Sequence, residues 1–530
     1  MKKRSLILAV LMTVQLVLGC LTAYGSTQPA TEGGEPVKGG VLKVALNRTV
    51  SAKSLDPLYI DSTTADQIAQ NFGDTLVRTN LDSSGFLPNI ATSWDISEDG
   101  KTYTFKIRDN VYFHPGKFQD GRKMTAEDVA YSVNRAKGYW CNYLFFLDHA
   151  EAVDEKTVVC HLLDPNATFM HELTSSSVIM VPKEEIEGWG EDFGMHPVST
   201  GPFMVSEHVP DQYTKLVKNP NYWGVEPYLD GLEYYIILDS AQTLNALKTG
   251  EVDVSLSVTG ESIKQVKEDA NLKLVQGPEN RVAYFGFNMS NEILSNDKVR
   301  QALIMAVEPE QLCAAQFTDG DGSVSILPLP KTSWGYEEDL EALVPKYDPE
   351  AAKALLADAG YPNGLTLSMS VSHDEARIRA ATLLQQYWAQ IGVTLVIKTM
   401  AQAEITASYL DNTVVTWGSG QGGSADPATF VGYFFNTEKL HTNYNAFNYS
   451  NPDTDALINE ALQVSDLARR KELYREITTR GIEAHVGIFY ATMNLSWAFN
   501  QKVHGYVQEG KAVMRVCGLE GSGINIWKEP

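Results

Sequence analysis

Gly418, Gly420 and Gly423 stand at the spacing G-x-G-x-x-G behind a β-branched run (TVVTW), and Glu438 follows. In that pattern backbone N–H groups cradle a pyrophosphate and a carboxylate about 20 residues on takes a ribose hydroxyl. The chemistry requires the glycines to open a helix whose N-terminus faces the phosphates. Here they run into Ser424-Ala425-Asp426-Pro427, so the stretch reads as a flexible loop and no dinucleotide is expected. Asp319-Gly320-Asp321-Gly322 has the beginning of a calcium loop, but its twelfth position carries no acid and a turn is the expectation. A nucleophile elbow, an H-E-x-x-H helix and a P-loop are absent from the sequence. The 66 carboxylates leave a two-carboxylate hydrolase open as a second class of function.

Besides Cys20, cysteines stand at 141, 160, 313 and 517, without C-x2-C spacing. A Cys141–Cys160 bridge and a reduced, buried Cys160 in the alternating stretch TVVCHL are both open. No metal centre is expected from these residues, and no cofactor.

The elements around these residues alternate between strand and helix. Val41 to Leu46 reads as a first strand. Ser93–Ile96 and Tyr103–Ile107 flank a turn at Asp99-Gly100 as a half-buried hairpin would. Thr125-Ala126-Glu127-Asp128 resembles a capping box opening a helix whose apolar face is Val129, Val133 and Ala136. Further on, Asp348 caps a helix with Pro349 at its first position and Gly360 at its end. Leu365–Val371, an amphipathic helix from about Glu375 to Ile391 closed by Gly392, and Val393–Ile397 then form a strand–helix–strand unit. That spacing implies a parallel pair with a crossover, hence α/β structure.

At the N-terminus, Lys2, Lys3 and Arg4 precede an apolar run from Leu6 to Leu18 that is interrupted only by Thr13 and Gln15. This is the n-region and h-region of an export signal, and the run is short for a bilayer span, which needs about 20 apolar residues. It ends in Val17-Leu18-Gly19-Cys20, which resembles a bacterial lipobox, although Leu18 departs from the residue usual there. Cys20 is therefore expected as the lipid-attachment point, with residues 1–20 as the signal. The Gly-, Pro-, Ser- and Thr-rich stretch that follows, residues 21–37, cannot bury enough surface to fold and reads as a tether. A coil of about 20 residues has a reach of roughly 25 Å. The formal charge of −23 grows by three units once Lys2, Lys3 and Arg4 are removed, which repels nucleic acid.

Residues 90–136 (IATSWDISEDGKTYTFKIRDNVYFHPGKFQDGRKMTAEDVAYSVNRA) closely resemble the signature stretch of family 5 extracellular solute-binding proteins. Matching blocks follow in the family's order at 199–254, at Asn288 with Lys298–Leu303, at 347–364, at Trp388–Val393, at Trp417 with Asp426-Pro427, and at 445–475. The resemblance covers about residues 38–505.

It implies an α/β fold of the type II periplasmic-binding-protein kind, with two hinged lobes and an inserted extra domain that close on a ligand. On that mapping, lobe one takes residues 38–80, 198–284 and 505–530, the inserted domain 81–197, and lobe two 285–504. The implied function is capture of a solute outside the cell for an ABC importer, with a peptide, expected to be an oligopeptide, as ligand. The implied partners are the permease subunits and, through the anchor, the membrane. A monomer without enzymatic activity follows. The mapping places Tyr59 and Trp417 as walls of the cleft, Trp140 approaching from the inserted domain, and Ser419 on a strand that pairs with the ligand backbone. Arg377 and Arg379 sit where dipeptide binders carry arginines for the ligand carboxylate. Where those binders place an aspartate for the α-ammonium, this chain has the uncharged Gly418–Ser424, leaving Asp426 as the rival anchor or simply the start of a turn. The same family also binds nickel complexes, haem and oligosaccharides. A nickel reading would draw on His373 and His441.

Overall fold

A computed structural model describes residues 34–60, 62–80, 85–137, 144–442, 444–506, 514–518, 522 and 524–530. The signal, Cys20, most of the tether, Trp140 and Cys141 lie outside the described residues.

Two long strands, Leu272–Phe287 and Gly487–Asn500, run antiparallel to each other and carry the chain between two halves of one 11-stranded sheet. Their register breaks between Pro278 and Val282, where a proline cannot donate to the ladder. On one side of the break, 272–278 pairs with 494–500, and the sheet continues through Val254–Ser255, Val41–Leu46, Gly231–Ile236, Tyr213–Lys218 and Phe203–Val209. On the other side, 282–287 continues through Thr416–Gly422, Leu365–Val371 and Val393–Thr399. Each half has its own core. Leu42, Val44, Leu232, Tyr234, Trp497 and Phe499 fill the first. In the second, alternation along Leu272–Phe287 sends Phe285 and Phe287 to one face with Trp388 and Tyr490, and Tyr284 to the other with Phe434, Phe447 and Phe489.

The hairpin expected at 93–107 is two of the four strands of a separate antiparallel sheet, Ala91–Ile96, Thr102–Ile107, Thr157–Leu162 and Leu147–Asp154. Helix Ala126–Ala136 closes it, burying Val129, Val133 and Ala136 as the sequence pattern predicts. The Asp128 carboxylate accepts from the Thr125 N–H at 2.8 Å and is clasped by Arg122, so the capping box is also an ion pair. Cys160 is a fully buried free thiol that desolvation pushes up to about 12, so the reduced core residue is the reading that holds; Cys313 and Cys517 are also free and buried.

The parallel crossover forms as its spacing implies. Leu365–Val371 and Val393–Thr399 pair in parallel around helix Glu375–Gln390, whose first turn is capped by Asp374 and whose end is turned by Gly392 at φ +87°. The glycine-rich stretch corrects the loop expectation. Thr416–Gly422 is a strand in register with Arg281–Phe287, because that pairing satisfies one side of its backbone in a way a loop could not.

Candidate functional site

The strand Thr416–Gly422 has two unlike edges. One edge pairs from Thr416 to Gly422 with Phe287–Arg281. The other pairs with Leu365–Val371 at Thr416 and Trp417, and among the described residues no strand pairs with Gly418–Gly422 beyond them. Gly422 lies opposite Arg281, beside the register break of the two long strands, so this open edge sits at the junction of the two halves. Unpaired backbone donors and acceptors in such a row are a template for another strand.

Arg377 lies over that edge. A Cβ added at Gly418 would stand 3.2 Å from Arg377 Cδ, so the missing side chain is the space the arginine occupies. Its Nη1 donates to Ser372 Oγ at 2.9 Å, while its Nε is buried and makes no hydrogen bond. The Trp417 indole N–H and the Tyr409 hydroxyl are likewise buried without a partner. The two rings are 5.4 Å apart, and burial drives the Tyr409 phenol well above its ordinary range. Burial likewise raises Tyr284, whose hydroxyl has Trp417 and Ser419 beside it to pull the other way. Of these buried donors Arg377 Nε is the one beside the open edge, and it suits an acceptor such as a carboxylate or a peptide carbonyl.

The other expected residues are placed less closely together. The Trp417 indole is fully buried within its own half, against Tyr409, Phe447 and Gly286. A Cβ at Gly286 would lie 2.3 Å from that ring. The wall expected of Trp417 is therefore corrected: its side chain supports the strand from behind and its backbone begins the open edge. Arg379 points away, its guanidinium donating to the Ala315 and Gln316 carbonyls at the end of helix Pro309–Gln316. Tyr59 closes a short turn, Pro57–Tyr59, on the first half; it is 41 % exposed, with Lys53 Nζ 5.6 Å from its ring centre. Asp56 caps that turn and is held by Arg135 of the four-stranded domain through two 2.7 Å bonds, which fixes Tyr59 at a domain junction. Asp426 caps Pro427–Thr429 and is bound by Arg470, so it starts a turn and serves a buried ion pair. His373 and His441 are exposed.

One residue escaped the sequence reading. The Ala167 N–H of the four-stranded domain donates to the Leu462 carbonyl of the second half at 2.6 Å. Just beyond, helix Phe169–Glu172 brings Glu172 into the electrostatic field of Asp426 and Tyr433. Burial, and then the Asp426 charge, raise the Glu172 carboxyl to about 8. Nothing local marks it, since the partners that perturb it are more than 250 residues away in the chain.

Two α/β lobes joined by a pair of strands, with an inserted antiparallel domain, are the architecture of type II periplasmic binding proteins. The chain belongs to the bacterial extracellular solute-binding proteins, family 5, whose middle-region profile matches residues 85–441. It is 29 % identical over 522 residues to the dipeptide-binding protein of Escherichia coli (strain K12), covering 89 % of this chain and 96 % of that one. It is 30 % identical over 458 residues to heme-binding protein A of Haemophilus influenzae (strain ATCC 51907 / DSM 11121 / KW20 / Rd), covering 79 % and 81 %. Its structure superposes with a TM-score of 0.74 on the ABC transporter-associated periplasmic binding protein DppA of Helicobacter pylori in complex with the peptide STSA, at 25 % identity and over 93 % and 99 % of the two chains.

Proposed function

We propose that this chain is the lipid-anchored binding subunit of an ABC importer, and that it captures peptides by adding them as a strand to the open edge at Gly418–Gly422. The observation that carries the reading is that edge: a row of backbone groups without a strand partner, at the lobe junction, beside an arginine with a free buried donor. Backbone pairing takes a peptide of any sequence, while Arg377 answers a carboxylate. The relatives named for dipeptides and for a bound peptide support the same ligand class.

The lobes divide at the register break, so the first lobe takes residues 38–80, 198–278 and 494–530 and the second 282–492, with 81–197 as the inserted domain. The separate cores around Leu42 and Tyr234 and around Phe285 and Trp388 support two lobes. Closure rotates one lobe on the other about residues 278–282 and 492–494, and the ligand favours the closed form by contacting both. The protein acts as a monomer, binds without turnover, and is held outside the cytoplasm by acylated Cys20.

The test is calorimetry of the mature protein against a peptide library, oligosaccharides, haem and nickel–histidine, with the same mixtures assayed for turnover. Peptide binding without hydrolysis is the expected result. Binding of haem or a nickel chelate with no peptide response overturns the ligand, and turnover of a peptide or glycan overturns the binding role.

A further inference from the structure

On the outer face of the inserted domain, His149 of the edge strand Leu147–Asp154 stands directly opposite His161 of Thr157–Leu162. Their imidazoles stack at 4.7 Å with planes 24° apart. Glu151, two residues along the same face, places Oε1 3.2 Å from His161 Nε2. One donor atom from each of His149, Glu151 and His161 lies within 4.8 Å of the others. A further carboxylate, that of Asp148, is 3.0 Å from His149 Nδ1.

We propose that His149, His161 and Glu151 form a binding site for a divalent transition-metal ion of the zinc, nickel or copper type, outside the ligand cleft. The donor set selects that class. Two imidazoles with one carboxylate suit borderline ions, whereas calcium and magnesium require a shell of oxygens. The geometry also fits. A zinc ion bound at about 2.0–2.1 Å wants neighbouring donors about 3.4 Å apart, so Glu151 and His161 already stand at the required separation. The His149 donor lies within 4.8 Å of the other two, and an exposed side chain closes such a gap by rotation. Asp148 supplies what ligating histidines usually have, a carboxylate on the ring nitrogen away from the metal. With Nδ1 engaged there, Nε2 of His149 is the nitrogen left for the ion. Three protein ligands on an exposed face leave a position for water or a chelator. The ion would pin the edge strand of the sheet to its neighbour.

The experiment titrates the tag-free mature protein with Zn2+ by calorimetry and follows Co2+ by its visible absorption, for wild type, His149→Ala, His161→Ala and Glu151→Gln. All three side chains are exposed or half-exposed, so the substitutions empty no core. One site is expected in wild type, weakened at least tenfold by either histidine change and less by Glu151→Gln. Zn2+ should raise the melting temperature of wild type and leave His149→Ala unmoved, because an ion that binds only the folded form stabilises it. His373→Ala with His441→Ala should leave the titration unchanged. Equal Zn2+ affinity in wild type and both histidine variants overturns the proposal, as does loss of the site in the His373, His441 double variant.

Discussion

Arg470 reaches both carboxylate oxygens of Asp426 with one nitrogen, at 3.0 and 2.8 Å, and both side chains are nearly excluded from solvent. Removing one member leaves the other charge buried and unpaired, which costs about 3 kcal/mol or more. Asp426→Asn should therefore lower stability by about that amount in a denaturant titration. An unchanged unfolding midpoint would show that the pair is not structural.

Glu172 gives the protein a pH-dependent stability. Its carboxyl is raised from the ordinary 4.5 to about 8 in the fold, first by burial and then by Asp426. Between these values the native state holds a proton that the unfolded chain has released, so stability falls as pH rises. The contribution is full below about pH 4.5 and is lost as pH passes through about 8. Glu172→Gln should flatten this window, with a melting temperature that declines less than wild type from pH 5 to 8. Parallel curves for the two proteins would refute it.

The contrast between these two acids shows what the sequence could and could not carry. Asp426-Pro427 is readable as a turn because a capping aspartate before proline acts on its own neighbours. The same locality made the capping box at Thr125, the crossover helix closed by Gly392 and the hairpin at Asp99-Gly100 legible. Arg470 and Glu172 act on Asp426 from 44 and 254 positions away, and no spacing rule reaches them. Periodicity failed differently at Gly418–Gly422, where glycine signals loop but the strand is imposed by the long neighbour at Arg281–Phe287. The Trp417 ring lies in the core and Arg379 donates to the Ala315 and Gln316 carbonyls, directions that sequence position does not encode.

Arg377 and Arg379 separate by direction, and so should their variants. Arg377 Nε is buried beside Gly418, whereas Arg379 donates to the Ala315 and Gln316 carbonyls. Arg377→Met should weaken peptide binding by about 1–3 kcal/mol, a common loss for a desolvated arginine anchor. Arg379→Met should leave affinity within a factor of about two, because a surface contact contributes little. Equal losses in calorimetry would refute the assignment.

Cys20→Ser should abolish lipid attachment, since the thiol is the only acylation point the lipobox-like Leu18-Gly19-Cys20 offers. The variant should move from the detergent phase to the aqueous phase on partitioning. Retention in the detergent phase would place the anchor elsewhere.

The remaining prediction concerns ligand length. A fixed carboxylate for the ligand's α-ammonium would set register at one end and reward dipeptides, because a buried ammonium needs an ionic partner. Neither Asp426 nor Glu172 supplies one. Gly418–Ser424 carries no charge, Asp426 is neutralised by Arg470, and Glu172 is held protonated at neutral pH by its burial. Affinity must then accumulate from backbone pairing along Gly418–Gly422, a strand edge several residues long, with Arg377 taking a carboxylate. Each added ligand residue extends the ladder until the edge is filled. Peptides of about four or more residues should therefore bind at least tenfold tighter than dipeptides, and N-acetylation should change affinity by less than about threefold. Amidation of the C-terminus, which removes the group that Arg377 answers, should cost more than acetylation does. A dipeptide that matches the best tetrapeptide in calorimetry, together with failure of its N-acetylated form, would show that an ionic anchor for the amino end exists and that the argument from the uncharged edge is wrong.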